Sequence, residues 1–381
     1  MGNDITRRTV LGAAAAGMVT TLSGPVVAVA GDEKGEPKEG GLPSFRFPLE
    51  KQKPRVGHGC SAKEATVKDF PVSKNIAGVS MRLCPGGLRE LHWHANAAEW
   101  GYVLKGRCRT TLLDPDGNRE TDDFAPGDVW YFPRGHAHSI QGIGKEECHF
   151  ILAFDNGAFS ENATFSVSDW LAHAPKEVLA KNFGVPATTF DAFPKKEVYF
   201  AKGPVPPPLD EAPPSGSLRQ CPLTHKYQLL AREARATAGG TLHLVSQKEF
   251  PISTTITGAI MTLKPRGLRE LHWHPNADEW GYVMAGKIRI TAFASGGRAR
   301  TEEFGPGDVS YAPMGYGHYL ENIGDTEARI LIVFNGGDYQ EISLSTWLAS
   351  NPRQLVATNF GVPEDTIAKF PTKQVFIAAG K

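Results

Sequence analysis

Two identical strings, Arg89–His94 and Arg269–His274 (RELHWH), lie 180 residues apart, and the same offset relates Glu99 to Glu279 and His138 to His318. Each copy therefore spaces three histidines and one glutamate alike: His92, His94, Glu99 and His138, then His272, His274, Glu279 and His318. Imidazoles and a carboxylate are the donors that hold a divalent metal. Side chains alternate along a strand, so His92 and His94 share a face. A turn through Ala95–Ala98 can bring Glu99 back across the pair, and His138 follows the Pro133-Arg134-Gly135 turn on a neighbouring strand. Four such ligands leave an octahedral ion two adjacent open positions, which suits Mn(II) or Fe(II). Zinc is satisfied by fewer ligands and is less favoured, while nickel and cobalt stay open. A lone H-x-H reads equally well as two surface histidines; repetition of all four positions argues against that. His136 has Tyr316 as its counterpart and is set aside as a ligand.

The elements that must carry these residues are short β-prone runs broken by Gly, Pro, Asn or Asp. Gly101–Leu104, Arg107–Leu113, Val129–Phe132 and Cys148–Phe154 are answered by Gly281–Met284, Lys287–Phe293 and Ile330–Phe334. Such close, regular spacing predicts an all-β fold of two tandem barrels. Each repeat closes on a short helical segment, from Ser168-Asp169-Trp170 to Phe183-Gly184 and from Ser345-Thr346-Trp347 to Phe360-Gly361, with Ser168 or Asp169 as the expected cap. The first repeat is placed at 46–202, a Pro-rich linker at 203–222 and the second repeat at 223–381, with an extended arm at 31–45.

A chain of 381 residues accommodates two domains of ordinary size. Lys+Arg and Asp+Glu balance at 41 each, which gives no case for nucleic acid or an anionic membrane as partner. The five cysteines (Cys60, Cys84, Cys108, Cys148, Cys221) form no C-x-x-C pair and read as buried small hydrophobes. Residues 1–30 read as a twin-arginine export signal: Arg7-Arg8, a mild apolar stretch from Leu11, and Ala28-Val29-Ala30 as cleavage site. A periplasmic or secreted location follows from that reading.

Gly86-x5-His92-x-His94-x4-Glu99-x6-Gly106 and Gly127-x5-Pro133-x-Gly135-x2-His138 resemble the two motifs of the cupin barrel, and the second copy repeats them through His318 and Asn322. Arg266 stands where the first motif opens with Gly, and Gly142 where the second closes with Asn; neither is a ligand. With Arg269–Val283 and Gly157–Val185, the chain resembles the bicupin oxalate decarboxylase family over nearly its whole mature length. That resemblance implies two double-stranded β-helix (jelly-roll) barrels. It implies two Mn(II) per chain, dioxygen as a cofactor that is not consumed, oxalate as substrate, and formate and carbon dioxide as products. It also implies a homo-oligomer, trimer or hexamer. An oxalate oxidase on the same scaffold, releasing hydrogen peroxide, is the alternative.

The copies differ in one informative place. The offset is 180 at Phe154 and Phe334 but 177 at Trp170 and Trp347, so the first copy carries three extra residues, placed at Ser160-Glu161-Asn162. In the family a similar loop is a lid whose Glu is the acid–base group. The resemblance thus gives Ser160, Glu161, Asn162, Ala163 and Thr164 as lid, with Glu161 catalytic. It places Arg89 beside the substrate, with Arg269 as counterpart. Strand periodicity alone turns Arg89 away from the histidines, toward an ion pair such as one with Glu90. A bulge at Gly86-Gly87 is needed to aim it inward.

Overall fold

Alternation of inward and outward side chains writes most of this chain as strands. In Arg107–Leu113, Cys108, Thr110 and Leu112 are buried while Arg107 and Leu113 are exposed. The structure, a computed structural model, describes residues 41–159, 164–209 and 220–380. The expected export segment, the arm up to residue 40, the lid residues Ser160, Glu161, Asn162 and Ala163, and linker residues 210–219 lie outside the described residues.

The expected all-β fold of two tandem barrels is what the structure has. Each barrel closes two antiparallel sheets face to face. In the first, one sheet runs Asp128–Phe132, Glu99–Lys105, Cys148–Phe154, Ala77–Leu83, Cys60–Ala65 and Arg55–Gly57. The other runs Thr164–Ser166, Gly87–His94, Ala137–Ile143, Arg107–Leu113 and Arg119–Phe124. The second barrel repeats this order with its own counterparts. A short helical segment follows each barrel, Val167–His173 with Lys176–Phe183 and Leu344–Ala349 with Arg353–Phe360. Its cap is not Ser168 or Asp169: the Ser166 hydroxyl accepts from the Asp169 backbone N–H, and Ser343 does the same for Thr346. Gly184 and Gly361 end the second helices with φ of 67° and 65°, the left-handed geometry that suits glycine.

The barrels exchange short strands. Arg46–Phe47 pairs with Val309–Ser310 of the second barrel, and Lys226–Gln228 pairs with Asp128–Trp130 of the first. The chain therefore changes barrels a few residues inside the boundaries expected at 46 and 223. Burial drives the exchange, because the outer faces of both seven-stranded sheets are apolar and cover one another. Trp100 packs flat where Gly258 has no side chain, and Trp280 does so over Gly78. A Cβ at either glycine would sit 2.2 Å from the facing indole, so both positions require glycine. Glu50, just after the first exchanged strand, binds Ser80 (2.5 Å) and Arg82 (3.1 Å) of one barrel and the Tyr282 hydroxyl (3.2 Å) of the other.

The second exchanged strand is anchored by a buried chain of polar groups. Glu120 accepts from the His225 backbone N–H (2.8 Å), from His225 Nδ1 (2.8 Å) and from the Thr224 hydroxyl (2.6 Å). The Thr110 hydroxyl lies 2.6 Å from His225 Nε2 and hydrogen-bonds with it. Burial raises the Glu120 pKa, but the His225 hydrogen bond and charge prevail and hold it at about 2, below the ordinary 4.5. A depressed carboxylate stabilises the fold above its unfolded pKa and loses that contribution as pH falls toward its folded one. Resistance to urea unfolding should therefore fall from pH 4.5 downward. Glu120→Gln should cost about 1–3 kcal/mol near neutral pH and flatten this acid dependence. An unchanged slope in the variant would remove Glu120 from the account.

Candidate metal centres

Three strands bring each group of four side chains together. His92 and His94 sit on Gly87–His94, Glu99 opens Glu99–Lys105, and His138 on Ala137–Ile143 is the direct register partner of His92. One ligand atom from each of the four lies within 4.8 Å of the others, and His272, His274, Glu279 and His318 form the same cluster. His94 Nε2 is 3.0 Å and His138 Nε2 3.5 Å from Glu99 Oε2; the second copy has 3.1 Å and 3.3 Å for His274 and His318 to Glu279. None of the eight residues is more than 5% exposed. His136 is not among the clustered ligands.

Hydrogen bonding fixes which ring nitrogen faces the centre. Nδ1 of His92 meets the Glu90 carbonyl at 2.6 Å, and Nδ1 of His138 meets the His136 carbonyl at 2.9 Å. The second copy does the same for His272, His274 and His318, at 2.7, 2.7 and 2.9 Å. A carbonyl only accepts, so each Nδ1 carries the proton and each Nε2 lone pair points inward. His94 is held instead by the Thr164 hydroxyl, 3.0 Å from Nδ1. Burial, reinforced by Arg89, drives the His92 pKa well below its usual value, and burial lowers His94 to about 4 against the pull of Glu99. Burial pushes the Glu99 carboxyl up, yet the His138 and His94 rings beside it hold it below the usual carboxylate range. Neutral imidazoles around an ionised carboxylate are the protonation states a divalent cation needs. The buried His138 Nε2 has no hydrogen-bond partner, and a metal would supply one. The residues fit such an ion.

Arg89 faces the histidines, although not through the bulge expected at Gly86-Gly87. His138 pairs with His92 and Ile140 with Arg89, so three steps on one strand match two on the other and the extra residue lies at Glu90-Leu91. The bulge turns Arg89 into the cavity lined by His92, His94, Glu99, Phe154, Phe159 and Tyr199. Its guanidinium stacks 3.8 Å over the Tyr199 ring and donates to the Tyr199 carbonyl at 3.3 Å. The alternative ion pair with Glu90 is absent among the described residues. Glu90 instead accepts from the Ser168 hydroxyl (2.5 Å) and the Tyr199 N–H (2.6 Å), tying helix and strand to the site.

Arg269 arrives by the same bulge and stacks 4.4 Å over Phe376, but it is already paired. Glu341 forms an ion pair with it and is fixed in turn by the Tyr339 hydroxyl (2.6 Å) and Gln374 (2.7 Å). By strand register the first copy has Thr164 at the Glu341 position, and Phe159 stands for Tyr339. The proposed catalytic Glu161 and its neighbours Ser160, Asn162 and Ala163 lie outside the described residues; Phe159 and Thr164 flank them. Sequence reasoning missed Tyr199, Glu341 and Trp130, whose indole N–H donates to Glu99 Oε1 at 2.9 Å. Trp130 carried a signal of a kind, since Ser310 replaces it in an otherwise matched strand.

The Cupin family model matches residues 47–190 and again 228–368. Oxalate decarboxylase OxdC of Bacillus subtilis is 42% identical over 330 residues, covering 87% of this chain and 85% of the relative. A probable oxalate decarboxylase of Arthroderma benhamiae is 36% identical over 340 residues, 89% of this chain and 84% of its own. The solved structure of the Bacillus subtilis enzyme at pH 4.6 superposes with a TM-score of 0.86 at 41% identity, covering 91% of this chain and 90% of that one. A second structure of that enzyme, with a TM-score of 0.86 at 40% identity over 91% and 92%, concerns its Mn(II) centres.

Metal analysis of protein produced with manganese should give two ions per chain. Glu99→Gln should hold one and melt several degrees lower, since ligand binding to the folded state alone raises stability. Two tightly held ions in Glu99→Gln would contradict the tetrad as the binding unit.

Proposed function

This chain belongs to the bicupin oxalate decarboxylase family, and from that premise we propose that it cleaves oxalate to formate and carbon dioxide in a manganese-dependent reaction. The single observation that carries the reading to particular atoms is the buried Arg89 guanidinium sharing a cavity with His92, His94 and Glu99. Oxalate, taken up as its singly protonated anion, is small, and a buried arginine beside a cation site matches its two carboxyl groups.

Bound manganese, with dioxygen as a cofactor that is not consumed, supplies the one-electron redox capacity that weakens the carbon–carbon bond. The protein's own residues do the rest. Arg89, held flat on Tyr199, binds and orients a carboxylate and stabilises its charge as carbon dioxide departs. Glu161 accepts the carboxyl proton and returns it to carbon, giving formate. Phe154 and Phe159, stacked 3.6 Å apart, wall the cavity with apolar surface and exclude water. Without that proton return, oxidation to peroxide and carbon dioxide would prevail.

We assign turnover to the first centre. Glu341 occupies the guanidinium of Arg269 with a carboxylate of the chain itself, so the second centre holds metal without binding substrate through Arg269. This departs from the expectation that Arg269 holds oxalate.

We also infer export and self-association. Arg7-Arg8 and Ala28-Val29-Ala30 support export, testable by sequencing the amino terminus of secreted protein, expected at Gly31. Exposed Trp170 and Trp347, at 65% and 55%, support a homo-oligomer, trimer or hexamer, which light scattering would size. No described helix is long and apolar enough to cross a membrane.

Oxalate turnover on manganese-loaded protein should release formate with little peroxide. Arg89→Lys should lower kcat/KM by about 100-fold. Glu161→Ala should lose formate and gain peroxide relative to it. Normal decarboxylation by Glu161→Ala would remove the lid from the mechanism, and dominant peroxide from the unaltered protein would make it an oxidase.

A further inference from the structure

The cysteines are not all the inert buried residues their spacing suggests. Cys60 opens strand Cys60–Ala65 and Cys84 directly follows Ala77–Leu83. These strands pair antiparallel with Ser61 opposite Arg82, which leaves the two cysteines together at one end of the ladder. Their Sγ atoms are 3.1 Å apart, and the Cys84 N–H donates to Cys60 Sγ at 3.4 Å. Gly87 leaves the space the sulfurs use: a Cβ there would stand 2.3 Å from Cys60 Sγ and 2.9 Å from Cys84 Sγ. We propose that Cys60 and Cys84 form a disulfide under oxidising conditions, a cross-link that pins the start of the strand carrying Arg89, His92 and His94.

Comparison of the two copies gives independent support. At the positions 180 residues on stand Gly240 and Lys264, so the second barrel lacks both sulfurs. Gly240 pairs with Leu263 there, and the backbone of the ladder end is kept without them. Exposure separates this pair from the other contacting thiols. Cys108 and Cys148 are both fully buried, whereas Cys84 is half-buried and open to a reagent. The cross-link would close the loop from residue 60 to residue 84. It would fix the turn whose Gly86 N–H donates to the Gly142 carbonyl and whose Gly86 carbonyl accepts from Gly203, both at 3.0 Å.

The oxidant is a low-molecular-weight or protein disulfide. The Cys84 thiolate attacks one sulfur of that disulfide, forming a mixed disulfide and expelling one reagent thiol. The Cys60 thiolate then attacks Cys84 Sγ and expels the second. Two electrons pass to the reagent, and the two cysteine protons end on its two thiols. Burial holds the Cys60 thiol up at about 11, so the second step quickens as pH rises.

The test is incubation of the full-length metal-loaded protein with oxidised glutathione, then alkylation in denaturant, so that every free thiol is accessible, and peptide mapping, which is independent of whether the chain is exported. Two of its five thiols should escape alkylation, the intact mass should fall by about 2 Da, and one cross-linked peptide should join Cys60 to Cys84. The oxidised protein should melt a few degrees higher than the reduced one, a gain that Cys84→Ser should not show. If both cysteines remain alkylatable, or the cross-link joins a different pair, the proposal fails. Mapping the unaltered protein decides this even where Cys84→Ser folds poorly.

Discussion

Three imidazoles and a carboxylate withdrawn from water within 4.8 Å of one another form an arrangement that needs a cation. Much of the local structure serves to keep it so. Backbone carbonyls hold the Nδ1 protons, Trp130 takes one oxygen of Glu99, and His138 Nε2 is left without a protein partner. An uncompensated buried charge costs several kcal/mol, so a cation that answers these lone pairs stabilises the strands that deliver them. The barrel is therefore the device that keeps four donors dry and aimed.

Duplication provides two such devices, and the interface between them explains why neither barrel is self-contained. Each lends the other a strand, and each sets a tryptophan against a glycine of its partner. With the scaffolds so closely matched, the chemical difference falls on a few residues beside the ligands. Thr164 supports a ligand histidine in the first barrel, whereas Glu341 at the same register neutralises the arginine in the second. Among the described residues, this exchange leaves Arg89 without the ion pair that Glu341 gives Arg269.

The repeat made the two ligand sets and the all-β fold legible, because ligand chemistry depends on residue type and spacing. Arg89 was harder. A period of two turns it away from His92, and only the bulge at Glu90-Leu91, a property of how two strands pair, turns it back. Glu90 looked like its ion partner and proved to be a strut for Ser168 and Tyr199. Tyr199 lies 110 residues from Arg89, and Glu341 lies 72 from Arg269, beyond what local patterning can connect. The helix cap fell on Ser166 because strand Thr164–Ser166 ends there, a boundary that propensity does not mark sharply.

The central claim is that one centre of the two accepts substrate because, among the described residues, its arginine is not ion-paired to a carboxylate. The most direct measurement is an oxygen-free titration of the manganese-loaded protein with oxalate, followed by calorimetry and by electron paramagnetic resonance of the metal. The account predicts one oxalate per chain and a changed signal from one of the two centres. Two equivalent oxalates per chain, with both centres perturbed alike, would contradict it.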